Sequence, residues 1–404
     1  MVRTLDEATV SGSTVGVRID VNSPIDGDSL RDDTRLRAHV PTLEELLERG
    51  GRVAVLAHQG RPGGDDFTTL SAHASRLDEL LDFPVGYVDE THGRSARQAI
   101  RSLDDGDCVV LENTRFYSEE PMTFEPDRAA RTHLVSRLEA LFDCFVNDAF
   151  AAAHRSQPSM VGFPAVLPSY AGRLMEAELD ALGDIESTAT PRVYVLGGAK
   201  VSGSIDVART VLEKGLADTV LVAGLVGNVF LLADGVDLGE ATIELIEERG
   251  YRDEIERANE LLETFGDRIE LPVDVVFDRD GERVEHRCED GSPTDGAPAM
   301  DVGSETIDAY RSVFDEAKTV VLNGPAGVYE RPVMADGTRA LFEAATAVDT
   351  SIVGGGDTAG ALGELGIEGF THVSTGGGAA LTLLTGDSLV AVEAIENAPP
   401  HHAD

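Results

Sequence analysis

Short β-branched runs alternate with amphipathic helical segments along all 404 residues, and that alternation leaves few architectures open. In the first half the candidate strands are Thr14–Val21, Arg52–Ala57, Asp107–Glu112 and Cys144–Asn147. In the second half they are Val193–Leu196, Thr219–Val222, Val273–Phe277, Thr319–Asn323, Ser351–Val353 and Thr371–Ser374. Helical periodicity is clearest over Pro41–Arg49, Ala129–Leu141 and Ala241–Phe265. A helix between two strands returns the chain to the same end of a sheet, so the strands pair in parallel and both faces are covered. The expected class is α/β. The length favours two domains, and the polar helix Arg173–Gly183 reads as a rigid connector between them. The segment Asp278–Met300, with its Asp-Gly turns, reads as a hairpin excursion.

Charge narrows the partners. The formal net charge is −40, with acids spread along helices rather than massed in a tail, and only three lysines occur: Lys200, Lys214 and Lys318. Such a chain repels nucleic acid and anionic membrane, so neither is an expected partner. The acidity suits a salt-rich cytoplasm, where screening relaxes self-repulsion. The cysteines Cys108, Cys144 and Cys288 lack metal-ligand spacing and read as small core residues. No signal peptide opens the chain and no apolar run approaches membrane length, which predicts a cytoplasmic protein.

Nearly every unusual polar cluster follows a predicted strand, where open α/β sheets bind ligands. The first half carries Arg18, Asp20 and Asn22, then His58 and Arg61, then Glu112, Asn113 and Arg115, then Asn147, Asp148, His154 and Arg155. That set is basic against an acidic background and suits a small anion. In the second half the strand ends are glycines: Gly197-Gly198, Gly324 with Gly327, Gly354–Gly356 and Gly376–Gly378. Glycine turns opening helices suit phosphates held by backbone N–H groups, and Lys200 at such a turn is where an anion would be met. No lysine follows a glycine, so there is no Walker A loop, and no strand leads into Gly-x-Gly-x-x-Gly.

These residues fall into motifs. VRIDVNSP (17–24), AHQGRP (57–62), ENTRFYSEE (112–120) and NDAFAAAHR (147–155), followed by GGAKVSG (197–203), LNGPAGVYE (322–330), GGGDT (354–358) and STGGGA (374–379), resemble the phosphoglycerate kinase family, in the family's order. Each motif is weak alone, but the match spans almost the whole chain. The resemblance implies two Rossmann-like, doubly wound domains. The first, 1–172, would bind phosphoglycerate, and an interdomain helix would occupy 173–186. The nucleotide domain would span 187–384, and a tail, 385–404, would return to the first domain. It implies a monomer that reversibly transfers a phosphoryl group between 1,3-bisphosphoglycerate and MgADP, giving 3-phosphoglycerate and MgATP in glycolysis and gluconeogenesis. By the same resemblance Asp20, Asn22, Arg35, His58, Arg61, Arg115 and Arg155 would hold phosphoglycerate. Gly197, Gly198, Lys200, Asn323, Glu330, Gly354, Gly355, Gly356, Asp357 and Thr358 would hold ATP or ADP, with Glu330 on the ribose and Asp357 near Mg²⁺. Arg35, Lys200, Gly376 and Gly377 would act on the moving phosphoryl group. Many family members carry a second lysine where Ser204 stands, and leucine is usual in place of Gln59.

Plainer readings stand beside these. Arg18 serves as readily in a structural ion pair as on a ligand; Asp20 and Asn22 could cap their turn, and Asp148 reads as structural. His39, His73, His92, His133, His401 and His402 join no constellation, Glu119-Glu120 reads as a solvated face, and Lys214 as a solvated charge. Given Ser204, the rival functions are a non-catalytic nucleotide- or sugar-phosphate-binding protein and a kinase with another acceptor.

Overall fold

The computed structural model describes residues 2–26, 29–293 and 296–400. The chain divides into two compact units, Met1–Ala181 with Ser388–Asp404, and Leu182–Asp387. His401 and His402 lie outside the described residues.

In the first unit β1 (Thr14–Arg18), β2 (Arg52–Leu56), β3 (Val85–Tyr87), β4 (Cys108–Val110), β5 (Cys144–Asn147) and β6 (Ser169–Ala171) form one parallel sheet. Their order is β3-β4-β2-β1-β5-β6. Side chains alternate across a strand, so each apolar run feeds two cores. Val15, Val17, Val53, Val55 and Val146 pack with Leu43 and Leu46 of the helix Thr34–Glu48 on one face. Ala54, Leu56, Val109 and Phe145 pack with Ile100 and Leu134 on the other. The chain order reverses between β1 and β5, which places the loops after these two strands side by side at the carboxyl edge. The segment after Ser388 belongs to this unit: Arg3 donates to the carbonyls of Ile395, Ala398 and Pro399, and the N–H of Ala391 donates to Ala153.

In the second unit β7 (Arg192–Leu196), β8 (Thr219–Val222), β9 (Ile269–Glu270), β10 (Asp274–Arg279), β11 (Glu282–Arg287), β12 (Ala299–Val302), β13 (Thr319–Asn323), β14 (Thr350–Gly354) and β15 (His372–Val373) follow in sequence. Six of them make a parallel sheet in the order β9-β8-β7-β13-β14-β15, that of a dinucleotide-binding fold, with its crevice between β7 and β13. Strands β11-β10-β12 form a separate antiparallel sheet.

The expected α/β class with parallel sheets is what the chain adopts, with corrections of detail. The run Val273–Phe277 lies in the antiparallel sheet rather than the parallel one, because it pairs with the hairpin that follows it. β3 and β6 escape the sequence reading because three residues are too few to establish a period. β1 ends at Arg18, and the apolar Ile19 and Val21 that follow lie outside the strand. The Ala241–Phe265 pattern is two helices, Glu240–Glu248 and Arg252–Phe265, separated at Gly250, whose φ of 75° no helix accommodates. The Ala129–Leu141 pattern is likewise interrupted before His133. Cys108 and Cys144 are buried in the core, and burial pushes both thiols up to about 12. Among the described residues no helix is long and apolar enough to cross a membrane.

Candidate functional site

The loops after β1, β2, β4 and β5 bring the basic residues of the first unit together. Asp20 is buried; one carboxylate oxygen accepts from the N–H of Asn22 at 3.1 Å and the other from Arg35. Burial opposes its ionisation, but the neighbouring His58, Arg35, the Asn22 N–H and Arg18 together outweigh that, and its carboxyl lies below the usual range. The Asn22 side chain accepts from the N–H of Gly60 at 2.7 Å, and Arg115 donates to the Gly60 carbonyl at 2.5 Å. Gly60 has φ +67°, and a Cβ there would lie 2.5 Å from the carbonyl oxygen of Asp66, so only glycine fits this turn. Arg61 follows it and is exposed.

Arg115 is buried; that burial and the charges of Arg155, Arg18 and Arg61 push its guanidinium down to about 10. Burial also lowers Arg155, which senses Asp20, Arg61 and Arg35. The arginines predicted from the sequence thus share one electrostatic neighbourhood, with Asp20 the acid near Arg35 and Arg155 and Glu120 the acid near Arg115. Such a concentration of guanidinium groups is stabilised by an anion with several oxygens.

Behind this basin lies a buried polar layer that the sequence reading passed over. His39 is no isolated histidine: its Nδ1 lies 2.7 Å from Asp148, and its Nε2 accepts from the Asp20 N–H at 3.0 Å. The other Asp148 oxygen accepts from the N–H groups of Leu174 and Met175 at 3.0 and 3.2 Å, the first turn of the helix Arg173–Leu182. Glu120 is not on a solvated face; it is buried and accepts from Ser159, both N–H and Oγ. Arg18, fully buried, donates to Ser159 at 2.9 Å and lies 2.7 Å from His58. Gln59 holds Ser23 through the N–H at 2.9 Å and the carbonyl at 2.8 Å, and meets His73 at 3.1 Å. These roles join residues far apart in sequence, so no local period announces them.

His73 supplies a pH prediction. Burial lowers it from 6.5 to about 4, so as pH falls through that window the unfolded chain binds a proton that the folded one refuses. The stability His73 contributes is complete above pH 6.5 and lost on the way to 4, by up to about 3 kcal/mol. Thermal unfolding in molar KCl at pH 7 and pH 4.5 should show a smaller pH-dependent drop for His73→Asn than for the unaltered chain. Equal drops would assign the acid sensitivity elsewhere.

In the second unit the crevice between β7 and β13 is built backbone against backbone. The N–H groups of Gly197 and Gly198 donate to Asn323 and Pro325 at 2.9 and 2.7 Å. A Cβ on Gly197 would lie 2.4 Å from the Pro325 oxygen. This corrects the expectation that these two glycines offer N–H groups to phosphate: their hydrogens are engaged, and their smallness lets the two loops meet. The N–H of Gly376 likewise donates to Ser374 at 3.2 Å, and the N–H of Gly324 to Thr358 at 2.7 Å. Lys200 precedes the helix Val201–Glu213, and its Nζ lies 2.8 Å from Asp357, in the first turn of Gly356–Leu365. Gly377 approaches Gly355 and Gly356, while Ser204 is buried within its helix. Lys214 is paired, not solvated alone: it meets Asp387 and the Thr385 carbonyl, each at 2.8 Å.

Beside Lys200 and Asp357 opens a cavity of about 500 Å³. It is lined by Gly198, Glu330 and Asp357 from the sequence reading, and by Leu225, Met300 and Val328, which that reading did not mark. Asn323, Gly354 and Thr358 are not in its lining. An apolar slot with carboxylates at its margin has the size and character of a nucleoside site.

A family model described as phosphoglycerate kinase matches residues 5–387. The chain belongs to the phosphoglycerate kinase family. It is 60% identical over 397 residues to a phosphoglycerate kinase of Natronomonas pharaonis, covering 98% of this chain and 100% of that one. A Halobacterium salinarum phosphoglycerate kinase is 58% identical, with 98% and 99% covered. Among solved structures, phosphoglycerate kinase from Pyrococcus horikoshii superposes with a TM-score of 0.91 at 41% identity, over 98% of each chain. This phosphoglycerate kinase family member is therefore an enzyme, a phosphotransferase of glycolysis, and its similarity to haloarchaeal proteins agrees with its acidity.

Proposed function

We propose that the first unit binds 3-phosphoglycerate or 1,3-bisphosphoglycerate through Asp20, Asn22, Arg35, His58, Arg61, Arg115 and Arg155. The second unit binds ADP or ATP, with Glu330 on the ribose and Lys200, Asn323, Asp357 and Thr358 toward the phosphates. The observation that carries this reading is the proximity of Arg18, Arg35, Arg61, Arg115 and Arg155 to one another, with Asp20 and Glu120 as the acids among them, in a chain of net charge −40. Phosphoryl transfer asks a protein for positioning and charge neutralisation more than for covalent chemistry. Guanidinium forks orient the carboxyl acceptor and its distal phosphate. Arg35, freed from Asp20 by a competing anion, reaches the transferring group, and Lys200 balances charge on the nucleotide side.

Magnesium fits as a companion of the nucleotide. Among the described residues no group of three or more metal-binding side chains exists, and Asp357 is a single exposed carboxylate. Magnesium held by one carboxylate and substrate phosphates needs no more from the protein. When bound it would neutralise phosphate charge, and Lys200, paired here with Asp357, would be available to a phosphate oxygen. The segment Arg173–Gly183 is the proposed bending region, and the protein works as a cytoplasmic monomer without nucleic acid or membrane.

The test is a coupled assay of ATP-dependent 3-phosphoglycerate turnover in molar KCl, with and without Mg²⁺. Turnover that needs the metal is expected. Binding of both ligands without turnover would favour a binding protein instead.

A further inference from the structure

Arg18 is 0% exposed, yet it spans the floor of the basin. Its Nε donates to Ser159 Oγ at 2.9 Å, one terminal nitrogen donates to the Ile19 carbonyl, and the other lies 2.7 Å from His58 Nδ1. A guanidinium has donors only, so Nδ1 of His58 must be the acceptor. The imidazole proton therefore sits on Nε2. Glu120, bridged to Arg18 through Ser159, supplies the counter-charge that makes a buried guanidinium tolerable.

We propose that Arg18 is a positioning residue for the phosphoglycerate site, holding His58 as the Nε2–H tautomer so that the ring presents one fixed hydrogen-bond donor to the bound anion. His58 is 3% exposed, and the groups that face it are Arg18, Asp20, Arg115 and Arg155. Burial and Arg18 hold its protonated form far below the ordinary range, with Arg115 and Arg155 adding to the effect and Asp20 opposing it. His58 is thus a directional donor among cations and not a further cation. A neutral donor can approach an oxyanion without adding repulsion to a crowded set of guanidinium groups. The proposal rests on the assignment of phosphoglycerate to this unit.

The experiment has two arms. In the first, imidazole ¹⁵N shifts of the ¹⁵N-histidine-labelled chain are recorded in molar KCl without ligand from pH 8 to 5. A single neutral Nε2–H signature for His58 across the range is expected; protonation, or the Nδ1–H form, overturns the proposal. In the second, Arg18→Met and Arg18→Lys are assayed. Arg18→Met should raise KM for 3-phosphoglycerate at least tenfold and KM for MgATP less than twofold, with partial rescue by Arg18→Lys and the tautomer signature lost in Arg18→Met. Equal rises in both KM values, or an unchanged His58 signature in Arg18→Met, refute it. If Arg18→Met does not fold, the first arm decides alone. Absence of turnover in the unaltered chain would sink the functional reading, while the first arm would still test the tautomer.

Discussion

Arg35→Ala is expected to lower kcat by about a thousandfold, the scale on which losing one preorganised cation at a developing charge acts. MgATP affinity, measured by titration, should stay within twofold, because Arg35 pairs with Asp20 in the first unit and the nucleotide cavity belongs to the second. Arg35 is partly exposed while Asp20 is buried, so removing the guanidinium also leaves a buried carboxylate short of one partner. Thermal unfolding of the variant therefore accompanies the kinetics. Arg35→Lys retains charge but not the fork, and should recover only part of the rate. Loss of nucleotide binding in Arg35→Ala would mean that the residue acts in the other unit.

The second large effect concerns salt. At a net charge of −40, exposed carboxylates repel one another across most of the surface. In about 1 M salt the Debye length is roughly 3 Å and this repulsion is local; in about 0.01 M it is roughly 30 Å and spans a domain. Dialysis from molar KCl into dilute buffer should lower the melting temperature by tens of degrees or unfold the chain outright, followed by far-UV circular dichroism. Surface ion pairs such as Lys318–Asp349 and Arg252–Glu247 will not compensate, since exposed pairs contribute at most about 1 kcal/mol each. Full stability in dilute buffer would contradict the halophilic reading.

The two effects have different origins in the chain, and so does their legibility. Asp20, Arg61, Arg115 and Arg155 stand in the segments that follow strands, Arg35 lies in the first turn of the helix Thr34–Glu48 between β1 and β2, and a parallel sheet gathers such positions at one edge. Their convergence could be expected from order alone. The carboxyl-edge glycines were legible as strand-end turns but not in their manner of use. That the Gly197 and Gly198 N–H groups are engaged with Asn323 and Pro325 depends on the register of β7 against β13, which no single motif contains. The antiparallel placement of β10 was hidden for a related reason: its apolar run suits either kind of sheet, and the hairpin β11 decided it.

Strand–helix alternation, the acidic balance and the residues that follow each strand were fixed by the amino-acid order, because each is a local or summed property. The buried partners were decided by the folded chain alone. Arg18 with His58 and Glu120, His39 with Asp148, and Gln59 with His73 couple positions 14 to 109 residues apart. Hydrogen bonds across such separations have no period to read. They exist because burial forbids an unpaired polar group, and only the packed structure determines which partner is within reach.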